Sequence, residues 1–283
     1  MLKQFLPVKQ GQLGLRQSDA LFHHTVALPK LLQQLAQKVD LTQIAAVGVS
    51  EKPRPAEGSY MPCFLAGVSF ASAFASARNL PLITTTHQQG HIAAALFACN
   101  TPTLFQQPVL VFHVSGGTTE LLYTHNLQIG EIVGNTSDLY AGQAVDRVGV
   151  AMGFAFPAGA EVSRIAQECE EKIKPRASVK NTVCSLSGLE NQCKKLLLDG
   201  KDNAYVAKYC LLCIAETIAK IIKNARLQYP QLPVVCAGGV MSSDLIHQYV
   251  QTRLENTYFV SGEFSSDNAL GVAVIASGEV DNG

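Results

Sequence analysis

His87 and His91 stand four residues apart in the run HQQGH. On a helix, positions i and i+4 face the same way, so this spacing brings both imidazoles within reach of one metal ion. A solvated helix face is the plainer alternative. The spacing also matches the zinc-protease helix, which carries a glutamate beside the first histidine as general base. Here Gln88 and Gln89 follow His87, and an amide takes no proton from metal-bound water. Protease chemistry of that type is not expected.

A second candidate is VFHVSGGTTE. A buried strand running into Ser115, Gly116 and Gly117 lets the main chain approach an anion closely, and Ser115, Thr118 and Thr119 add hydroxyls. An ordinary hairpin entry fits the same residues. VVCAGGV has the same form: a strand, then Gly238 and Gly239, then a helix whose N-terminus favours negative charge. Together the two junctions resemble the phosphate and adenosine loops of the actin-like ATPase fold. Three carboxylates complete the set. Asp267, in SSDNALG, suits a helix N-cap, or it supplies a third metal ligand beside the two histidines. Asp138 also reads as a cap. Asp146, in AGQAVDRVG, is harder to explain as a cap, and pairing with Arg147 is excluded because helix neighbours diverge.

These residues need rigid elements around them. The chain has 283 residues, 47% hydrophobic and 16% charged, with 22 basic and 22 acidic side chains. That composition suits one large or two medium globular domains. The zero net charge advertises no large nucleic-acid footprint; the segment from Lys172 to Lys180 is the strongest local basic patch. No apolar run reaches the ~18 residues of a membrane span, and MLKQFLPVKQGQ has no signal-peptide core. A cytoplasmic protein without membrane contact is expected. Its eight cysteines are then reduced thiols, and Cys210 and Cys213, a CxxC inside a helical run, are small core residues.

The first 25 residues look polar and turn-rich. Helical spacing begins at Thr25 and runs to Val39. A strand follows at Ile44–Val49, then a loop through SEKPRPAEGSYMP. Ala and Ser dominate Phe64–Asn79 on every face, the mark of a helix packed closely on a neighbour. A strand is expected at Leu80–Thr84, ending just before His87, and the helix that carries HQQGH continues over His91–Ala98. Beyond the break NTPTLFQQP come the strand Val109–Val114, a hairpin turning at Asn126, and helices at 139–152 and 159–173. Residues 175–182 read as a basic linker. Helices follow at SLSGLENQCKKLL and 202–228, then the strand PVVCAGGV, a helix at 243–254, a strand at 256–260 and a helix from Asp267. Alternating strands and helices imply α/β layering. The expected division is 1–105, 106–266, and a terminal helix at 267–283 returning to the first lobe.

Read in order, HxxGH, VSGG, the helix D-x-x-A-G-x-A-x-D from Asp138 to Asp146, FPAG, SLSGL, AGGV and a terminal S-D-N resemble one family over residues 62–278. It is the tRNA threonylcarbamoyladenosine transferases, formerly called O-sialoglycoprotein endopeptidases or glycoproteases. The resemblance implies an α/β actin-like ATPase fold with two lobes around a cleft. It implies transfer of a threonylcarbamoyl group from threonylcarbamoyl-AMP to N6 of the adenosine 3′ of the tRNA anticodon. By position, His87, His91 and Asp267 are similar to the family's metal ligands, for iron or zinc, with no catalytic side chain beyond that centre. His113, Val114, Ser115, Gly116 and Gly117 match the nucleotide-phosphate loop, and Asp146 and Gly159 the ribose and adenine contacts. Gly238, Gly239 and Ser243 match the second loop, with Ser243 where the family has Asn. The expected ligand is threonylcarbamoyl-AMP or an ATP-like nucleotide. The expected partners are tRNA, reached through other proteins, and a paralogous or accessory protein of the same machinery. The family's opening strand, of the type GIETSCDDT, has no counterpart among these residues: either it precedes Met1 or the fold is without its first strand. Two other readings follow from the departures: a non-catalytic paralogue serving as a metal-binding interaction subunit, and the metalloprotease of the family's older name.

Overall fold

The computed structural model describes residues 2–4, 6–7, 15–260 and 268–281. The chain divides into two compact units, one of residues 1–97 with 267–283, the other of residues 98–266.

The first unit is built on two parallel strands, β1 (Val47–Lys52) and β2 (Leu82–Thr86), paired from Val47 with Leu82 onwards. Parallel strands need a crossover, and α2 (Phe64–Arg78) provides it, ending on Asn79 in the left-handed region at φ 52°. The run of small residues in α2 acts as expected: Ala66, Ala71 and Ala75 are buried. α1 (Gln17–Ala36) packs beside α2. It begins eight residues before the expected Thr25, inside the supposedly turn-rich stretch. Only Ala27 of this helix is buried and Phe22 is exposed, so its first turns leave no apolar stripe for periodicity to detect.

α3 (His87–Ala98) follows β2 without a break, and α9 (Ala269–Asp281) closes the unit. Two glycine contacts bring these helices in. A Cβ on Gly271 would lie 1.7 Å from the Gly90 carbonyl oxygen, and one on Gly48 would lie 2.8 Å from Val272 Cγ1. Side chains at Gly90 and Gly271 would force α3 and α9 apart.

The second unit carries a seven-stranded mixed sheet in the order β6-β7-β5-β4-β3-β8-β9. Its strands are β3 (Val109–Val114), β4 (Thr119–His125), β5 (Gln128–Thr136), β6 (Val179–Lys180), β7 (Val183–Cys184), β8 (Val234–Ala237) and β9 (Thr257–Phe259). β3, β4 and β5 form an antiparallel meander, and β8 and β9 add in parallel on the far side of β3. The β4–β5 hairpin turns at Asn126 and Leu127, both at positive φ, as a two-residue type I′ loop demands. The segment expected to be a plain linker instead contributes β6, which pairs antiparallel with β7.

Five helices cover this sheet: α4 (Ala141–Ala151), α5 (Gly159–Ala166), α6 (Ser187–Leu198), α7 (Asn203–Ala225) and α8 (Asp244–Gln251). α7 is the core of the unit, with thirteen of its residues buried. Cys210 and Cys213 are among them and all eight cysteines are free thiols. A hydrogen bond with Cys193 and burial both push the Cys210 thiol far up, and burial raises Cys213. These are protonated packing groups, as the sequence suggests. Among the described residues no helix is long and apolar enough to cross a membrane.

Candidate functional site

The histidine pair sits at the start of α3, and a local device fixes that start. Thr86 Oγ1 accepts from the Gln89 N–H at 3.2 Å, while Gln89 Oε1 accepts from the Thr86 N–H at 3.1 Å. This reciprocal capping box satisfies two otherwise orphaned donors. Thr86 Oγ1 and Thr85 Oγ1 also reach Gln89 Oε1, at 2.9 and 3.3 Å. The helix therefore begins at His87, with both histidines on it, and β2 extends to Thr86. Gln89 is a structural clasp, and the position beside His87 where a zinc protease carries its glutamate is held by Gln88.

With α3 so fixed, the Nε2 atoms of His87 and His91 lie 3.1 Å apart. A metal bound at about 2.0–2.1 Å to each imidazole needs those nitrogens roughly 2.9–3.4 Å apart. The pair fits a divalent ion of the zinc or iron kind. Phe64 meets the His87 ring edge-on, with centroids 5.8 Å apart. Desolvation lowers the His87 pKa, which favours the neutral form that binds metals. The third expected ligand, Asp267, lies outside the described residues. Among the described residues no cluster of three metal-ligating side chains occurs.

Asn268, the last residue of the terminal S-D-N, has a role that its motif does not announce. Asn268 Nδ2 donates to the His87 carbonyl at 2.6 Å, and its Oδ1 accepts from Ser50 Oγ at 3.0 Å. It ties the head of α3 to β1. Ser50, Phe64, His87 and Asn268 also border a largely apolar cavity of about 900 Å³.

In the second unit, the two strand-to-glycine junctions interlock. Gly238 sits at φ 102°, and a Cβ there would lie 2.2 Å from the Val114 carbonyl oxygen. Gly142, in the first turn of α4, donates to the Ser115 carbonyl at 3.1 Å, and a Cβ on it would meet the Gly116 nitrogen at 2.5 Å. Gly116, Gly117 and Gly239 have nothing within 4 Å of a would-be Cβ. The first two glycines pack backbone on backbone. The other three are unobstructed, and at Gly116 and Gly239 this leaves open space where a ligand's charge could approach main-chain N–H groups.

That space is a cavity of about 480 Å³, bordered by Ser115, Gly116, Asp146, Gly159 and Gly239 among the expected residues, and by Gly142 and Ser242 besides. His113, Val114, Gly117, Gly238 and Ser243 do not line it. Val114 is core, and Ser243 is buried before α8. Ser242 lines the cavity where Ser243 was expected to bind; its Oγ donates to the Gly239 carbonyl at 2.7 Å.

Asp146 proves to be a cap after all, though not of its own helix. Its Oδ1 accepts from the Ala158 and Gly159 N–H groups at 2.8 and 3.2 Å, holding the N-terminus of α5 against α4. Arg147 turns instead to Glu190, at 3.2 Å. Asp138 caps α6 from a distance: Oδ1 accepts from the Leu139 and Leu186 N–H groups, and Oδ2 from Ser187 N and the hydroxyls of Ser185 and Ser187. Burial works against its charge, but these hydrogen bonds win and hold the carboxyl well below the usual range.

Comparison with known proteins places the chain. The family described as tRNA N6-adenosine threonylcarbamoyltransferase matches residues 10–274. A protein of that name from Streptococcus suis is 30% identical over 270 residues, covering 91% of this chain and 78% of the relative. One from Streptococcus mutans is 30% identical over 274 residues, covering 92% and 79%. Among solved structures, HypF of T. kodakarensis superposes with a TM-score of 0.58 at 14% identity, over 86% of this chain and 42% of HypF. That likeness concerns the fold alone and agrees with an α/β actin-like architecture. The chain belongs to the tRNA N6-adenosine threonylcarbamoyltransferase family.

Proposed function

We propose that this chain transfers a threonylcarbamoyl group from threonylcarbamoyl-AMP to N6 of the adenosine 3′ of a tRNA anticodon. The observation that carries the reading is the His87–His91 pair at metal-chelating separation, in a chain of this family. His87 and His91 would hold an iron or zinc ion, with Asp267 as the third ligand. When bound, such an ion supplies Lewis-acid polarisation to a carbonyl.

The remaining steps belong to the chain's own groups. The main chain at Gly116 and Gly239 receives the donor's phosphate, because no side chain there holds it off. Asp146 keeps Oδ2 for the donor's ribose hydroxyls while Oδ1 fastens α5. Gly159, whose N–H is held by Asp146 and which borders the cavity, leaves room for the adenine. The adenosine N6 attacks the carbamoyl carbon and forms the new C–N bond. The bond from that carbon to the phosphate oxygen breaks, AMP leaves with the electron pair, and N6 releases a proton to solvent. Partner proteins and tRNA complete the reacting assembly in the cytoplasm.

Titration calorimetry with Zn²⁺, and separately with threonylcarbamoyl-AMP, tests the two halves. Wild type is expected to bind both. His87→Ala should lose the metal and keep the nucleotide, and Asp146→Ala the reverse. A wild-type chain that binds metal but no nucleotide would instead support the non-catalytic interaction subunit.

A further inference from the structure

The strap that crosses α7 alternates without a break. From Lys172 to Lys180, every even-numbered residue is exposed and every odd-numbered one half-buried. Ile173, Pro175, Ala177 and Val179 turn inward; Lys172, Lys174, Arg176, Ser178 and Lys180 turn out. A period of two means an extended chain, so four cations stand in a row on one edge. At ~3.3 Å per residue the row spans roughly 25 Å, with neighbouring outward positions about 6.6 Å apart.

The strap is fastened. Lys208 Nζ donates to the Cys169 carbonyl at 2.6 Å where it begins, and the Arg176 N–H reaches Cys213 Sγ at 3.3 Å in its middle. The Ser185 N–H reaches the Ser178 carbonyl at 3.1 Å, and β6 then pairs with β7. Anchored main chain lowers the ordering cost that usually weakens an exposed basic segment.

The charges on the strap are not spent within the fold. No ion pair of the described residues involves Lys172, Lys174, Arg176 or Lys180. Of the acidic residues just before them, Glu168 pairs with Arg164 and Glu171 with Lys201. Glu170 is exposed two residues before Lys172 and offsets it, which leaves the weight on Lys174, Arg176 and Lys180. In a chain with no net charge, an anchored row of cations, interrupted only by Ser178, suits an extended ligand that carries a series of anions.

We propose that this ridge grips the phosphodiester backbone of RNA, and that it is the surface through which the chain holds its tRNA substrate. The second clause rests on the transferase reading; the first does not. The row has no aromatic side chain for stacking on bases, so binding is to the backbone and insensitive to sequence.

Fluorescence anisotropy on the full chain with a labelled, unmodified tRNA transcript, repeated across a salt series, tests the ridge. Replacing three charges together, Lys174→Ser, Arg176→Ser and Lys180→Ser, should weaken binding at low salt at least tenfold. The slope of log K against log salt should become shallower by about two to three, at 0.7–0.9 per phosphate contact. Restoring the charges as Lys174→Arg and Lys180→Arg, with Arg176 in place, should restore both. Equal affinity and slope in the triple variant, no tRNA binding by wild type, or equally tight binding of polyglutamate would overturn the proposal. The failures of the two readings are separable. Ridge-dependent RNA binding without nucleoside product would leave the ridge standing and sink the transferase. Product formed with an unchanged KM for tRNA in the triple variant would do the opposite.

Discussion

Gly238→Ala and Gly239→Ala change neighbouring residues by one methyl group, with opposite consequences expected. Gly238 has φ 102° and ψ 159°, a region essentially confined to glycine, where another residue costs of order 1–3 kcal/mol. The added Cβ would also stand 2.2 Å from Val114 O and 2.7 Å from Val114 C. Those are backbone atoms at the end of β3 and cannot swing aside, so overpacking adds ~1–3 kcal/mol. A loss of about 4 kcal/mol is expected, a large share of a typical domain's ~5–15 kcal/mol. At Gly239 the Cβ meets nothing within 4 Å, and stability should change by less than about 1 kcal/mol. There the methyl stands in the cavity and should lower threonylcarbamoyl-AMP affinity tenfold or more. The chain has no tryptophan, so urea unfolding is followed by far-UV circular dichroism, with hydrogen exchange at β3 and β8 reporting this unit separately. A Gly238→Ala protein destabilised by less than 1 kcal/mol, or a Gly239→Ala protein that binds the nucleotide like wild type, would refute the packing argument.

Other outcomes follow from the same contacts. Asp138→Asn removes a charge that six donors, Thr136 Oγ1 among them, hold in place, and should cost about 1–2 kcal/mol at pH 7 after allowance for its exposure. Because the folded carboxyl titrates below its unfolded value, that contribution is present above the ordinary aspartate range near ~4 and fades as pH falls further; urea midpoints of wild type and variant should converge in acid. Gln89→Ala breaks the capping box and should cost about 1 kcal/mol while weakening Zn²⁺ binding, since the turn carrying His87 frays; unchanged calorimetry would count against the clasp. Gly142→Ala should separate α4 from the Ser115–Gly116 loop, seen as faster hydrogen exchange at Gly116 and Gly117.

Local signals were the legible ones. The hairpin at Asn126 and the small-residue helix α2 announce themselves in composition because turn geometry and close packing act on the residues that carry them. The i, i+4 histidines read correctly as one helical turn. Thr86-x-x-Gln89 is also a readable capping-box pattern, and it sets the start of that turn at His87. What stayed hidden was long-range. Gly142 is a glycine because of Gly116, 26 positions earlier, and Asp146 caps a helix that begins at Gly159. Ser242 rather than Ser243 lines the cavity because Ser243 turns into the core ahead of α8, a phase that sequence spacing does not reveal. The first turns of α1 bury almost nothing and so leave no pattern to read.

The most direct test of the central claim is a single-turnover reaction of the metal-loaded chain, with its partner proteins, unmodified tRNA and threonylcarbamoyl-AMP labelled in the threonyl group, followed by mass spectrometry of the digested nucleosides. Labelled N6-threonylcarbamoyladenosine is expected at the position 3′ of the anticodon, with His87→Ala and His91→Ala each reducing it at least a hundredfold. No labelled nucleoside from wild type, or undiminished product from either histidine variant, would contradict the claim.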